Sequence, residues 1–344
     1  MVRVLVIHQP TGDFENRALV AALSSLRSPG HELHCVKLPP SGAMPQSIAR
    51  IMRLDRSVGF EVIHAIGPSS LLAALPVGCQ PIIYTPPAAD PLRGLRRVRW
   101  MGKVRQVTVA APSQAVAREL VRAGVARERI RVVFPPYTPN TTGAVSRSNL
   151  GFTDDDRILL AVGECTRRAG HKLTAWAAVI LFCFDPRYKL LVAGGPYSET
   201  IRRFAAGLNQ TGFCTFAHDA LGYVPAVEDL VPLANVALFT PAEAHGLLAA
   251  QICQAGNLPI IASPHDMVCE LLHAPRMTIS QSRRAKIIAQ AVFQHFDSNP
   301  AAAKARGTSL HQPIRSVSHW LTLYDDVIVG RQAHFESVAM ARQS

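Results

Sequence analysis

The 344-residue sequence has few charged and few aromatic residues, and it lacks a long apolar segment. Charged residues make up 17% and aromatic residues 6%, whereas hydrophobic residues make up 48%. This composition excludes a mainly disordered chain, and the length accommodates two ordinary domains with a large core. The longest apolar run, LTAWAAVILFCF at 173–184, is too short to cross a bilayer and therefore predicts a buried helix.

The sequence also lacks the spacings of a disulfide framework, a metal site or a leader peptide. Its seven cysteines are odd in number and show no CxxC or Cys/His pattern, and no carboxylate pair has ligand spacing. Most cysteines lie in apolar runs, as buried thiols do in a reducing compartment. MVRVLVIHQP at 1–10 lacks the successive basic, apolar and cleavage regions of a signal peptide. We therefore expect no metal, no bound cofactor and a cytosolic setting.

Acidic residues are scarce in the first half of the chain. Residues 1–150 carry 19 Lys and Arg against 8 Asp and Glu, whereas residues 151–344 carry 17 against 16. This asymmetry predicts that the first half faces an anionic partner. The densest basic segment, LRGLRRVRWMGKVR at 92–105, interleaves apolar residues with Arg93, Arg96, Arg97, Arg99, Trp100, Lys103 and Arg105.

Two explanations of this basic segment stay open at this point. Anionic lipid headgroups suit it, because the basic side chains neutralise them while Trp100 enters the interface, and this would place the protein at the inner face of the membrane. A solvated helix face accounts for the segment equally well. The chain shows no helix-turn-helix, zinc-finger or aromatic RNA-binding motif, so we expect no nucleic-acid partner.

Strand-like and helical segments alternate along the chain, and the alternation occurs twice. In the first half, SQAVARELVRAG predicts a helix that Ser113 caps and Gly124 ends. A segment rich in Pro, Thr, Ser and Gly at 135–156 predicts a linker, after which the alternation restarts. The predicted strands are 2–7, 31–38, 60–66, 81–85, 106–111, 129–134, 157–163, 189–195, one within 214–224, 236–241 and 259–263.

This pattern predicts an α/β fold with two doubly wound domains, each a parallel sheet covered on both faces by helices. Ligands of open α/β sheets bind beyond the carboxyl ends of the strands. We therefore expect the binding site in a cleft between the two halves.

Seven segments, in this order and spacing, resemble the family 4 glycosyltransferases. They are FEVIHAIGPSSLLAAL, PIIYTPP, VAAPSQAVARELVRAGVARERIRVVFPP, ILLAVGECTRRAGHKL, YKLLVAGGP, LGYVPAVEDLVPLANVALFTP and AEAHGLLAAQICQAGNLPIIAS. The resemblance implies the GT-B fold, in which two Rossmann-like domains face each other. It implies an acceptor-side domain at 1–145, a nucleotide-sugar domain at 146–315 and a C-terminal helix at 316–344 that crosses back to the first domain.

The resemblance also implies a donor site in the last of these segments. Glu243 takes the position of the family's first glutamate, which contacts the donor sugar. The backbone of Gly246, Leu247 and Leu248 would open a helix toward the donor diphosphate, and helix N-termini do bind anions. Gln251 stands where the family has a second glutamate for the ribose, so a neutral side chain replaces a charged one.

The turn after the predicted strand 157–163 departs from the family. After Gly163, the family's diphosphate-binding Arg and Lys are replaced by Glu164 and Ala169. A carboxylate there would repel a diphosphate by about 4 kcal/mol at 4 Å and an effective dielectric of 20. The nearby cations Arg167, Arg168 and Lys172 are candidates to supply the missing charge, and solvated loop charges are the alternative.

The acceptor side departs as well. His64 fits a family position at the end of a strand and is a candidate catalytic residue, although a lone histidine after a strand is as often a packed residue. Gly12 is the one glycine in a loop where the family has a glycine-rich turn, and it permits close approach of the backbone.

Two functions follow from these residues. The first is a retaining glycosyltransferase that moves a sugar from a nucleotide-sugar donor, a co-substrate, to a hydroxyl group of a lipid, glycan or small-molecule acceptor. The second is a catalytically silent GT-B protein that serves as a scaffold or interaction partner, because altered diphosphate ligands are what loss of donor binding would produce.

Overall fold

The computed structural model describes residues 1–9, 14–39, 44–78, 80–87, 90–92, 106–137, 145–163, 165–193, 198–271, 277–308 and 317–341. The chain divides into two compact units. Met1–Tyr137 and Arg315–Ser344 form the first unit, and Thr138–Ile314 form the second. The first unit is therefore assembled from both ends of the chain.

The first unit contains six strands and five helices among its described residues. In chain order they are β1 (Val2–His8), α1 (Phe14–Ser25), β2 (His31–Lys37), α2 (Met44–Val58), β3 (Val62–Ile66), α3 (Pro68–Ala74), β4 (Ile82–Thr85), β5 (Val107–Ala111), α4 (Gln114–Arg122), a 3₁₀ turn at Arg127–Arg129, β6 (Ile130–Val132) and α11 (Ser318–Ala341).

All six strands of the first unit join one parallel sheet in the order β2-β1-β3-β4-β5-β6. The central strands β3, β4 and β5 are buried along their whole length, as expected for strands covered on both faces. The predicted cap of α4 is confirmed, because the Ser113 hydroxyl accepts the Val116 N–H at 3.1 Å. Gly124 follows that helix with a φ of +89°.

The helix α11 packs on the sheet of the first unit, although it lies some 180 residues beyond β6 in sequence. Its buried face contains Trp320, Leu323, Tyr324 and Val327, in contact with apolar residues of β1, β3 and α1. The Trp320 indole N–H donates to the Phe134 carbonyl at 3.1 Å. The end of the chain thus completes the first core.

The second unit repeats the same construction. Its helices and strands are β7 (Arg157–Ala161), α5 (His171–Phe184), β8 (Tyr188–Val192), α6 (Ser198–Ala206), β9 (Cys214–Phe216), α7 (Ala217–Leu221), α8 (Val227–Leu230), β10 (Val236–Phe239), α9 (Leu247–Ala255), β11 (Ile260–Ala262), β12 (Met277–Ile279) and α10 (Ala285–Ser298). It also has 3₁₀ turns at Ser148–Leu150, Val231–Leu233, Val268–Leu271 and Pro300–Ala303.

The strands of the second unit form a parallel sheet in the order β12-β11-β10-β7-β8-β9. The predicted apolar helix is confirmed as α5, and its inner face packs into a core with β7, β8 and α10. Two large side chains of α5, Trp176 and Phe184, are 53% and 70% exposed. The run 173–184 is therefore half buried rather than fully buried.

Two parallel sheets flanked by helices confirm the predicted α/β fold class. Among the described residues, no helix combines the length and hydropathy needed to cross a bilayer. In each sheet the chain order places two sequence-distant loops side by side at the carboxyl ends of neighbouring central strands, which is where open α/β sheets bind ligands. In the second unit these neighbours are β7 and β10.

Candidate functional site

Two glycine turns meet at the carboxyl end of the second sheet. Gly163 follows β7 with a φ of +93°, and Gly246 precedes α9 with a φ of +83°. A Cβ built on Gly163 would lie 3.5 Å from the Gly246 Cα, and one built on Gly246 would lie 3.6 Å from the Gly163 Cα. The two turns thus approach each other backbone to backbone. Sequence reasoning named both glycines but not their contact.

The start of α9 lies at this contact. Gly246 occupies the N-cap position in the left-handed region and offers no side chain to the helix. The side chains of Leu247 and Leu248 are buried, 3% and 1% exposed, so they anchor the first turn of the helix in the core. A helix start of this kind directs backbone N–H groups and the positive end of the helix dipole toward the turn.

Gln251 lies one turn further along α9 and is 8% exposed. Its position on the helix that begins at Leu247 agrees with the predicted spacing from the helix start. The contact of Gln251 with a ribose stays a prediction.

The loop between β10 and α9 is tied to the turn after β7 by Arg168. The Arg168 carbonyl accepts the Ala242 and Glu243 N–H groups at 2.7 and 3.2 Å. The guanidinium Nη1 of Arg168 is in direct contact with the Glu243 carboxylate, and Nη2 lies 3.4 Å from the Ala244 carbonyl. The Arg168 side chain is 9% exposed, whereas that of Glu243 is 49% exposed. Sequence reasoning treated these two residues separately and missed the ion pair.

The other two predicted cations lie at the surface. Arg167 is exposed. Lys172 is also exposed, and its Nζ lies 5.7 Å from the centre of the Phe204 ring, a cation–π distance. Ala169 is buried, and its N–H donates to the Thr166 hydroxyl at 3.2 Å, so this position takes part in the turn rather than in a charged site.

A second group of contacts holds the β7 turn against the β10 loop, and sequence reasoning did not identify it. His171 Nε2 donates to the Gly163 carbonyl at 3.2 Å. The Thr174 and Thr240 hydroxyls are 2.6 Å apart, and the Thr240 hydroxyl donates to the Gly170 carbonyl at 3.2 Å. The available sequence signal was Gly170, a glycine just before a predicted helix. Its φ of +75° lies in the left-handed region, which favours glycine.

One further cation lies beside the β10 loop. The Nη1 of Arg283, an exposed residue just before α10, is 3.5 Å from the Ala242 carbonyl. Because β12 and the residues that follow it were not among the predicted elements, sequence reasoning did not find Arg283.

His64 lies in the first unit, at the centre of β3, and has no exposed surface. Its Nδ1 is 2.9 Å from the Tyr324 hydroxyl and its Nε2 is 2.8 Å from the Thr85 hydroxyl, while Trp320 stacks on the ring at 5.0 Å. Burial lowers the pKa of His64 to about 3. The placement favours the packed alternative over the predicted catalytic role, because both ring nitrogens are engaged and no substrate atom has access.

Thiol chemistry is not available beside the glycine contact. Cys165 follows the β7 turn and is fully buried, and burial raises its pKa to about 12. A thiol with that pKa stays protonated near neutral pH and is a poor nucleophile. Within the described parts of the chain, no three His, Cys, Asp or Glu side chains are grouped to hold a metal ion.

Three sets of predicted residues lie outside the described residues. They are Gly12 on the acceptor side, Glu164 in the β7 turn, and the basic segment with Arg93, Arg96, Arg97, Arg99, Trp100, Lys103 and Arg105.

Residues 2–140 match the model of Glycosyltransferase Family 4. A search of curated protein sequences found no significant match.

Several solved structures share the fold across nearly the whole chain. Anabaena HepE in complex with UDP-glucose superposes with a TM-score of 0.67 at 14% identity, covering 99% of this chain and 100% of its own. Sucrose-phosphate synthase from Thermosynechococcus elongatus gives a TM-score of 0.62 at 16% identity, with 99% and 100% covered. A UDP-N-acetylglucosamine 2-epimerase named as putative, from Listeria monocytogenes, gives 0.52 at 13% identity, with 98% and 97% covered.

At these identities the structural matches establish the fold and not the reaction. They confirm the predicted GT-B architecture. The match to Glycosyltransferase Family 4 extends over the N-terminal part of the chain, and the fold similarity extends over nearly all of it.

Proposed function

We propose that this protein is a glycosyltransferase that uses a nucleotide-sugar donor and transfers the sugar to a hydroxyl group. The observation that carries the proposal is the meeting of Gly163 with Gly246, which brings the turn after β7 to the start of α9 and the adjoining loop containing Glu243, at the sheet edge. The family 4 match over residues 2–140 supports sugar transfer rather than epimerisation, the reaction named for the epimerase of the same fold.

The roles of the residues follow from their chemistry. The start of α9 at Gly246 and Leu247 would receive the diphosphate, because its backbone dipole favours an anion. The Glu243 carboxylate would accept hydrogen bonds from sugar hydroxyls, and Gln251 would meet the ribose. As the bond between the anomeric carbon and the diphosphate oxygen breaks, negative charge grows on the leaving diphosphate, where exposed Arg167 and Lys172 are candidate stabilising cations.

We propose a uridine nucleotide as the donor and retention at the anomeric carbon. HepE was solved with UDP-glucose, and a Staphylococcus aureus protein of the same fold, MnaA, was solved with UDP. Retention rests on the family 4 resemblance. In the overall reaction, the acceptor oxygen bonds to the anomeric carbon, its proton is released, and the nucleoside diphosphate leaves.

We also propose a cytosolic protein that contacts an anionic membrane surface through its first unit. Cys35, Cys165, Cys183, Cys214 and Cys253 are free thiols, which supports a reducing compartment. The exposed arginines of α2, at positions 50, 53 and 56, support an anionic surface as the partner.

Stabilisation by nucleotides tests the donor proposal. A diphosphate of uridine, guanosine or adenosine that binds the native state should raise the free energy of unfolding by about 2.7 kcal/mol at 100 times its dissociation constant. UDP is expected to give the largest shift, and uridine, which lacks the diphosphate, is the control ligand. No shift with any diphosphate would contradict the proposal and support the catalytically silent alternative.

Turnover separates transfer from epimerisation. A transferase consumes the donor only when an acceptor is present, whereas an epimerase converts the nucleotide sugar without one. NMR spectra of UDP-glucose and UDP-N-acetylglucosamine incubated with the protein alone should therefore stay unchanged. Formation of a second nucleotide sugar would refute transfer as the reaction.

A further inference from the structure

Arg168 lies in the second unit against the loop between β10 and α9. Its backbone carbonyl accepts two N–H groups of the loop between β10 and α9, those of Ala242 and Glu243. Its guanidinium then returns to the same loop, where it contacts the Glu243 carboxylate and the Ala244 carbonyl. Main chain and side chain of one residue therefore both fix the loop.

The exposed fractions of the two side chains differ: Arg168 is fixed by the core, whereas Glu243 faces solvent. The Arg168 side chain is almost buried, at 9% exposed, so its position is set by the surrounding core. The Glu243 side chain is 49% exposed, and Oε2 is the oxygen in contact with Arg168. A carboxylate has two oxygens that accept several hydrogen bonds, so a contact at Oε2 leaves capacity for a ligand hydroxyl.

We propose that Arg168 is a positioning residue, which orients the Glu243 carboxylate toward the donor sugar and does not bind the diphosphate. This inference rests on the proposed function. Holding a flexible glutamate in one orientation lowers the ordering cost when the sugar binds, because the side chain has already lost its rotamer freedom. A charge-assisted contact from a planar guanidinium fixes direction as well as charge.

The distinguishing measurement is the affinity for a nucleotide sugar relative to that for UDP. A residue that acts through the sugar contact changes the first affinity and leaves the second unchanged. The probes are UDP, UDP-glucose and UDP-N-acetylglucosamine, each titrated by calorimetry. For every variant, the ratio of the UDP dissociation constant to that of the tightest-binding nucleotide sugar is compared with the wild-type ratio.

Arg168→Ala and Glu243→Gln should each reduce this ratio by about tenfold, the scale of one charge-assisted hydrogen bond. The dissociation constant of UDP should stay within about twofold. The double variant should lose no more than Glu243→Gln alone, since Arg168 acts through that carboxylate. Arg168→Lys keeps the charge but not the planar fork, so a reduction of several-fold is expected.

Arg283→Ala is the matched control, because Arg283 contacts the same loop at the Ala242 carbonyl without touching Glu243. It should leave the ratio at the wild-type value. Should Arg168→Ala fail to fold, the same comparison is made with Arg168→Lys.

Three results would overturn the inference. Equal weakening of UDP and nucleotide-sugar binding in the Arg168 variants would make Arg168 a diphosphate ligand. An unchanged ratio in those variants, with UDP binding intact, would remove the positioning role and leave the proposed function standing. A wild-type protein that binds neither UDP nor a nucleotide sugar would overturn the proposed function and this inference together.

Discussion

At the scale of single residues, glycines in the left-handed region allow the turns of the candidate site to pack closely. Gly163 and Gly246 approach each other without side chains, and Gly170 packs against the β10 loop. A Cβ on Gly170 would lie 1.9 Å from the Thr240 carbonyl oxygen, far inside contact distance. At each of these positions, a neighbour that is distant in sequence requires glycine. The sequence therefore shows where the glycines are but not why they are needed.

Gly170→Ala is expected to destabilise the protein by more than about 3 kcal/mol, because the backbone conformation and the clash with Thr240 both oppose it. Gly151→Ala is the matched control. Gly151 has a φ of +76° but no atom within 4 Å of a built Cβ, so only the conformational cost of about 1–2 kcal/mol applies. Urea denaturation of both variants measures the difference. Equal losses would show that the close approach to Thr240 does not constrain this position.

At the scale of secondary-structure elements, the packing of α11 on the first sheet is the clearest contact between segments that are far apart in sequence. The buried face of α11 covers β1 and β3, and the Tyr324 hydroxyl reaches His64 in β3. Burial raises the pKa of Tyr324 well above its ordinary value, and it lowers that of His64. A buried polar pair held inside an apolar interface requires the helix to dock in one register.

The stability of this interface should depend on pH. His64 titrates at about 3 in the folded chain, against an ordinary value of 6.5. Below pH 6.5 the unfolded chain therefore binds a proton that the folded chain excludes, and stability falls as the pH decreases toward 3. The expected contribution of His64 is a loss of about 2 kcal/mol between pH 7 and pH 5.

Comparison of His64→Gln with the wild type isolates this contribution. The variant should be less stable at pH 7, but its free energy of unfolding should fall less steeply with acid than that of the wild type. His319→Gln, which removes an exposed histidine from the same helix, is the control. Parallel curves for the wild type and His64→Gln would contradict a neutral buried histidine at this position.

At the scale of the whole molecule, positive charge is concentrated in the first half of the chain. The structure locates part of it on α2, where Arg50, Arg53 and Arg56 recur every three residues along the exposed face. The acidic residue of that helix, Asp55, is half-buried and accepts hydrogen bonds from Phe60 and Gln80. The exposed face of α2 is therefore cationic without an interleaved carboxylate.

Replacing Arg50, Arg53 and Arg56 together by Gln should weaken binding to vesicles rich in phosphatidylglycerol by up to about a hundredfold at low salt, at roughly 1 kcal/mol per cation. Co-sedimentation measures the affinity, and added salt should diminish it. A variant with Arg203, Lys286 and Lys304 replaced by Gln removes the same charge from the second unit and should bind nearly as well as the wild type. Equal weakening in both variants would exclude α2 as the contact surface.

The sequence by itself determined the fold class and most of the central strands, because period, apolar runs and turn residues are local properties. It did not predict α2, β12 or α10. It also placed Glu243, Gly246 and Gln251 correctly along one loop and helix, since their spacing is fixed by that single segment.

Only the tertiary structure decided which residues meet across segments. Arg168 and Glu243 are 75 positions apart, and His64 and Tyr324 are 260 apart. A candidate phosphate ligand thereby became the partner of a carboxylate, and a candidate catalytic histidine became a core residue. Both outcomes depend on which strands lie side by side in the two sheets and on where α11 docks, and pairing between distant segments leaves no mark in the local pattern of either one.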